Sequence, residues 1–331
     1  MTAGNADWRG KLMRTFLSLA AVLCFAGYIF SPPPAQAQDL SDADCQEHFN
    51  PFMPALVLKY EVAYRLFWLK LMHLADAVVS AADGEWFSEA SGEWRKAYLL
   101  IFRLDTLEEP AEAGRGRYSI HNRLATVLLK PSLEPLSFAK RDFMHVDTFF
   151  STIDVNNTEF FSVESGKYDY VKKDLAANAA TTNMPYFNRL VSQRSEAFRF
   201  MKTLSAFYAG DTNVLSATNG FTISIYTDNA FVPFNVEIAP RLKSVNALNK
   251  QYKTIYFEAE PAPEFSGKGR GLSLWVAPFG YVAEVTADPG LVWLADQTFE
   301  MGMIPLRADF GLKLGTVRCS LVRINMSASL P

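Results

Sequence analysis

Four histidines, His48, His73, His121 and His145, are the first residues to weigh for proton transfer or metal binding. None stands four residues from another, the spacing that puts two imidazoles on one helical face, so no zinc site is indicated. His145 and Asp147 would share one face of a strand, where a carboxylate could orient an imidazole base or complete a ligand pair. A satisfied surface or core pair is the plainer reading of that spacing. The run Gly271-Leu-Ser-Leu-Trp275 has the first half of a nucleophile elbow and lacks the second glycine. The glycine-rich stretch Ser266 to Gly271 lacks the spacing and the Lys-Ser or Lys-Thr ending of a phosphate loop, and reads as a hairpin tip. Asp39, Asp42 and Asp44 lack the alternation and central glycine of a calcium loop, and read as a solvated tail. These patterns assign no catalytic residue, no metal site and no cofactor.

Paired carboxylates for glycoside chemistry can come from strands far apart in sequence, so their absence from local motifs does not exclude a carbohydrate-active hydrolase. Aromatic residues make up 14% of the chain, and Trp68, Trp86, Trp94, Trp275 and Trp293 follow the N-terminal segment. Most of these rings belong in a core, and a few could line an apolar or sugar-binding cleft.

The N-terminus carries the ordered features of a secretory signal. Arg9, Lys11 and Arg14 precede an uncharged run from Phe16 to Phe30, after which Pro32, Pro33 and Pro34 break any helix. Ala35-Gln36-Ala37 then gives a small-x-small processing site, so residues 1–37 read as a signal peptide cleaved between Ala37 and Gln38. The alternative is an uncleaved anchor in the inner membrane, for which the apolar run of 15 residues is short against the ~20 needed to cross the hydrocarbon. No later apolar stretch is long enough to span a membrane. The expected location is therefore the periplasm.

The processed chain, residues 38–331, holds 29 basic and 34 acidic side chains, a net charge of -5 against -3 for the whole. That balance gives no electrostatic footprint for nucleic acid and no basic stripe for an anionic membrane. Two cysteines remain, Cys45 and Cys319. A disulfide between them would close 275 residues and contribute at most about 5 kcal/mol. In Val317, Cys319 and Leu321 the alternation equally suits a buried thiol, and spacing does not decide pairing.

Positioning falls to strands. Leu58, Tyr60, Val62 and Tyr64 alternate with Lys59, Glu61 and Arg65, the pattern of a half-buried strand. Further strands are expected near 71–82, 94–104, 117–129, 134–144, 146–155, 221–227, 230–239, 252–260, 271–277, 280–287, 290–296, 304–310 and 314–325. The turns between them are expected at Asp83-Gly84, Gly114 to Gly116, Asn156-Asn157, Asn219-Gly220 and Asp288-Pro289-Gly290. One interruption stands out from Pro185 to Tyr208, where Phe187, Leu190, Val191, Phe198, Met201, Leu204 and Tyr208 recur at helical spacing. These elements predict a mainly β chain, one β-rich domain built as an antiparallel open barrel or half-barrel. The central amphipathic helix would pack against it, and loops would project around 105–116 and 259–271.

At the C-terminal end, Gly290-Leu-Val-Trp-Leu-Ala-Asp296, Ile304-Pro-Leu-Arg307, Leu314-Gly-Thr-Val317 and Leu321 follow in order. This order resembles the close of a bacterial exported family known as domain of unknown function 3108. Trp293, Asp296, Pro305 and Gly315 take that family's positions in a tryptophan strand, an Ile-Pro-Leu strand and a glycine-led final strand. Weaker echoes are Tyr60, Leu133 to Phe138 and Leu204 to Tyr208. The resemblance implies a β-barrel-like envelope protein, with structural roles for those four residues and no known chemistry. The function expected is non-catalytic: binding of an apolar or lipid-like ligand, or assistance in envelope assembly. The competing readings are a periplasmic interaction scaffold, whose partner the sequence leaves unknown, and the hydrolase.

Overall fold

The computed structural model describes residues 48–66, 69–89, 91–106, 118–130, 134–147, 152–162, 167–174, 179–181, 208, 221–227, 230–265, 271–296, 302–311 and 315–328. The signal segment with Ala37 and Gln38, the cysteine at Cys45, most of the loop expected at 105–116, and the helix expected from Pro185, apart from Tyr208, lie outside them. The described strands are antiparallel neighbours in an order with two ends, so the sheet is open, as the alternation predicts. No described helix is long and apolar enough to cross a membrane.

Strands β1 (Phe49–Pro51), β2 (Ala55–Leu66), β3 (Leu69–Ser88), β4 (Glu93–Thr106), β5 (Tyr118–Leu129), β6 (Glu134–Asp147), β7 (Thr152–Ser162), β8 (Lys167–Asp174) and β9 (Ala179–Thr181) come first in the chain. Then follow β10 (Phe221–Thr227), β11 (Ala230–Ile238), β12 (Lys243–Ala247), β13 (Lys250–Pro261) and β14 (Leu272–Pro278). Helices α1 (Phe279–Thr286) and α2 (Pro289–Asp296) precede β15 (Met303–Gly311) and β16 (Thr316–Ser327). The chain divides into two units. The described part of the first comes from Tyr60–His73 and Ser195–Arg323, and that of the second from Ser31–Lys59, Leu74–Arg194 and Ile324–Pro331.

In the first unit the period of two sorts residues cleanly. Phe257, Leu274, Ala308 and Cys319 stand in register across β13, β14, β15 and β16, and all are buried. One step along, Ala259, Leu272, Phe310 and Val317 repeat the row. Strand β2 adds Tyr60 and Val62, both fully buried. The Tyr60 hydroxyl donates to the Pro305 carbonyl at 2.9 Å. Between β14 and β15 the register shifts as Trp275 pairs Arg307 and Val276 pairs Pro305, an irregularity that accommodates a residue with no N–H to give.

The segments expected as strands at 280–287 and 290–296 are helices instead. Phe279, Val282 and Ala283 form the buried stripe of α1 at helical spacing, and Leu291 and Leu294 that of α2. The expected turn at Asp288-Pro289-Gly290 is a helix start: the Asp288 carboxylate accepts from the N–H groups of Gly290 at 2.8 Å and Leu291 at 3.3 Å, and Pro289 fills the first turn. Ala287, with φ of 58°, closes α1. The Lys250 ammonium donates to the carbonyls of Val285 at 2.5 Å and Thr286 at 3.0 Å, satisfying the negative end of that helix. Tyr208, the last residue of the expected amphipathic helix, is helical and places its ring 5.8 Å from that of Tyr281 on α1. Burial and the neighbouring Tyr281 and Glu284 raise its pKa to about 12.

The second unit differs in that β4 is buried on both faces. Ala97, Leu99 and Ile101 join Trp86, Ala125, Val127, Leu136 and Ala139 in a core on one side. Tyr98, Leu100, Phe102 and Leu104 are equally buried on the other. Two expected turns fall inside strands here. Asn156-Asn157 pairs with Phe143 and Asp142 in mid β7. Asp83-Gly84 lies within β3, opposite Tyr98 and Ala97. The reason at Gly84 is close approach, since a Cβ there would lie 2.3 Å from the Asn50 carbonyl of β1. Asp83 is buried and meets the Lys130 ammonium at 2.5 Å, and that ammonium also sits 4.1 Å from the Tyr98 ring centre. Strands β1, β8, β9 and β12 are not among those expected from the sequence.

Replacing Lys130 with Met should leave the Asp83 carboxylate buried without its cation and destabilise the protein by about 3–5 kcal/mol. The denaturant midpoint of the Lys130→Met protein measures this, and an unchanged midpoint would show that the pair contributes little.

Candidate functional site

Among the described residues, those singled out by the sequence do not converge. Trp293, expected as an apolar anchor in a strand, is 47% exposed on α2, and Asp296 is exposed at the end of the same helix. Pro305 is buried in β15 as the acceptor for Tyr60. Gly315 has a φ of 84°, and a Cβ there would lie 2.3 Å from the Arg65 carbonyl, so the turn into β16 requires glycine. Cys319 is a fully buried thiol whose pKa burial and Asp309 push well above the usual range. Its suggested partner Cys45 lies outside the described residues. His121 pairs with Asp105 at 2.8 Å across β5 and β4, both partners well exposed, as a surface pair. The ring of His48 stands edge-on to Trp86 at 6.4 Å. Among the described residues no group of three potential metal ligands gathers.

Two other constellations emerge. The first is Asn122 on β5, only 2% exposed, whose amide nitrogen and oxygen both lack a hydrogen-bond partner. It stands opposite Leu104, and Leu124, two residues along the same face, stands opposite Phe102. Tyr98, Leu100, Thr126 and Leu128 continue this face, and Thr126 donates to the Ser137 carbonyl at 3.2 Å. An amide held among leucine and phenylalanine side chains carries a donor and an acceptor whose desolvation nothing in the wall offsets.

The second lies on the polar face of the first unit. Across neighbouring strands Tyr256, Trp275 and Arg307 stand in one row, and Glu258, Ser273, Asp309 and Arg318 in the next. Lys243 lies over the Tyr256 ring at 3.3 Å, the Tyr256 and Trp275 rings are 4.7 Å apart, and the Arg307 guanidinium lies 4.2 Å over Trp275. Arg307 Nε donates to Asp309 Oδ1 at 2.9 Å while its Nη2 donates to Oδ2. Arg318 grips the same carboxylate through Nε at 2.8 Å and Nη2 at 2.7 Å. Burial pushes the Asp309 pKa up, but the hydrogen bonds and charges of the two arginines outweigh it and hold the carboxyl below its ordinary range. Arg65 is lowered by burial and by the positive charges of Arg318 and Arg307, partly offset by Asp309 and Glu61. Glu61 in turn is paired by Lys70.

No sequence motif marks either constellation, because Arg65, Arg307 and Arg318 come from β2, β15 and β16, and an asparagine within a strand is unremarkable until its surroundings are known.

No family model matches the chain, and no curated protein matches it. Among solved structures, a β-barrel-like protein of domain of unknown function 1849 from Brucella abortus is similar over 83% of this chain and 99% of that one, with 10% sequence identity and a TM-score of 0.35.

A carboxyl group with a depressed folded pKa contributes stability that is fully present above its unfolded value, near 3.9, and is lost as the pH falls through the folded value. Stability of the wild-type protein should therefore fall more steeply on acidification than that of Asp309→Asn. Urea midpoints measured from neutral pH downwards make the comparison, and parallel acid limbs would contradict it.

Proposed function

We propose that this chain is a non-catalytic exported envelope protein, released into the periplasm after Ala37, that holds an acyl compound through its second unit. The observation that carries the reading is Asn122, a buried amide with both hydrogen-bonding atoms unmatched in a wall of Leu104, Leu124 and Phe102. Ligand sites of apolar character are lined by hydrophobic side chains with a small number of placed polar groups, and Asn122 has that character here. Because its amide both donates and accepts, the complementary ligand group also does both, as an acyl amide or a protonated fatty acid does. The C-terminal motif around Pro305 and Gly315 supports the same placement through its resemblance to the exported envelope family.

Native mass spectrometry of the processed protein is expected to show a bound acyl species, and Asn122→Leu is expected to lose it. The same substitution removes an unmatched buried amide, so the ligand-free variant should be as stable as the wild type or more stable by about 1–3 kcal/mol. A ligand-free wild-type spectrum that added fatty acid or acyl amide leaves unchanged would sink the proposal.

A further inference from the structure

We infer that neighbouring rows of β1, β3 and β4 in the second unit form a binding platform for an uncharged oligosaccharide. Trp94 and Phe52 are its ring-stacking ends, and Asn50, Glu85 and Lys96 are the hydroxyl-binding row between them. The inference is independent of Asn122 and goes beyond the acyl-binding reading.

Strand register sets these residues in three rows on one face. Phe87 stands opposite Trp94, and two residues along, Asn50, Glu85 and Lys96 stand side by side on β1, β3 and β4. The Phe52 N–H donates to the Asp83 carbonyl at 2.9 Å, which carries the register of β1 past Pro51 and sets Phe52 beside Asp83 in the third row. Trp94 and Phe52 are each 51% exposed. Single exposed apolar side chains are ordinary, but the Trp94 ring is held in place by Phe87, with 5.3 Å between ring centres and a tilt of 56°. The first and third rows lie four residues apart along β3, about 13 Å at the rise of a strand, which is wider than one pyranose ring and suits a short chain of them.

The row between the rings is built for hydroxyls. Asn50 Nδ2 donates to Glu85 Oε1 at 3.1 Å, which fixes both side chains and leaves the amide Oδ1 and the carboxylate Oε2 as acceptors for an outside group. Lys96, opposite Glu85, adds donors. A sugar hydroxyl both donates and accepts, so it meets every group in the row, while the C–H faces of the same sugar lie on the aromatic rings. A phosphate or carboxylate would meet Glu85 and a cation would meet Lys96, so the row discriminates in favour of an uncharged ligand. Nearby ionisable groups are paired: Asp83 is buried against the Lys130 ammonium, and the His48 ring lies 3.7 Å from the Glu89 carboxylate. Rings and polar groups ordered in advance reduce the cost of binding.

Calorimetric titration of the processed protein with cellotetraose, chitotetraose and maltotetraose is expected to show saturable binding of at least one of them, and weaker binding of glucose. Trp94→Ala should weaken it about tenfold or more. Asn50→Ala, which keeps both rings, should weaken the same binding about threefold or more while the circular dichroism and melting temperature hold. Binding of heparin or of unfolded casein, with none of the sugars bound, would assign the face to a polyanion or a polypeptide and overturn the inference. Absence of saturable binding to all three tetrasaccharides, or binding that both substitutions leave unchanged, would overturn it equally.

Discussion

The hydrogen bond from Tyr60 to Pro305 is the constraint on which the first unit rests. It joins residues 245 positions apart and lies where water cannot substitute for either partner. Its removal would expose a carbonyl to an apolar surrounding, at a cost of about 1–3 kcal/mol. Tyr60 also shares the interior with Cys319; burial first, and then the thiol, raise the phenol pKa well above its usual value. A neutral phenol, a neutral thiol and a proline carbonyl thus occupy the same interior without any of them carrying charge. The inward rows from Phe257 to Cys319 and from Ala259 to Val317 close around this arrangement, while the alternate residues, turned the other way, are left to build the arginine cluster.

The two units solve the burial problem differently. In the first, alternation along the rows through Phe257 and Ala259 separates an apolar face from a polar one, the usual economy of antiparallel sheets. In the second, β4 has no polar face over most of its length, so polar groups on its neighbours meet apolar surroundings. Asp83 meets the Lys130 ammonium through Oδ2 while its Oδ1 has no partner, and neither polar atom of Asn122 has one. The two buried polar residues on the same face thus differ in charge compensation: a cation answers the carboxylate, and nothing in the wall answers the amide.

The open antiparallel architecture was legible in the sequence because alternation in segments such as Leu58 to Tyr64 is a direct signature of one-sided burial. The stretch from 280 to 296 forms helices where strands are expected because short, largely apolar segments have no period that separates a strand from a buried helix, and the deciding information lies in Asp288 as a cap and Pro289 as a first-turn residue. Asp83-Gly84 and Asn156-Asn157 have strong local turn preference, and pairing with both neighbouring strands overrides it. The candidate sites were not legible. Arg65 and Arg318 become neighbours only through strand pairing between opposite ends of the chain, and the isolation of Asn122 depends on Leu104, contributed by another strand.

Cys319 lies in mid-strand between Ala308 and the interior, with none of its surface accessible. Thiol exchange requires a direct line of attack on sulfur. An oxidant, or any second thiol seeking it, therefore has its opportunity only while β15 and β16 are still apart during folding. In the folded chain this sulfur is a free thiol that its burial shields from exchange.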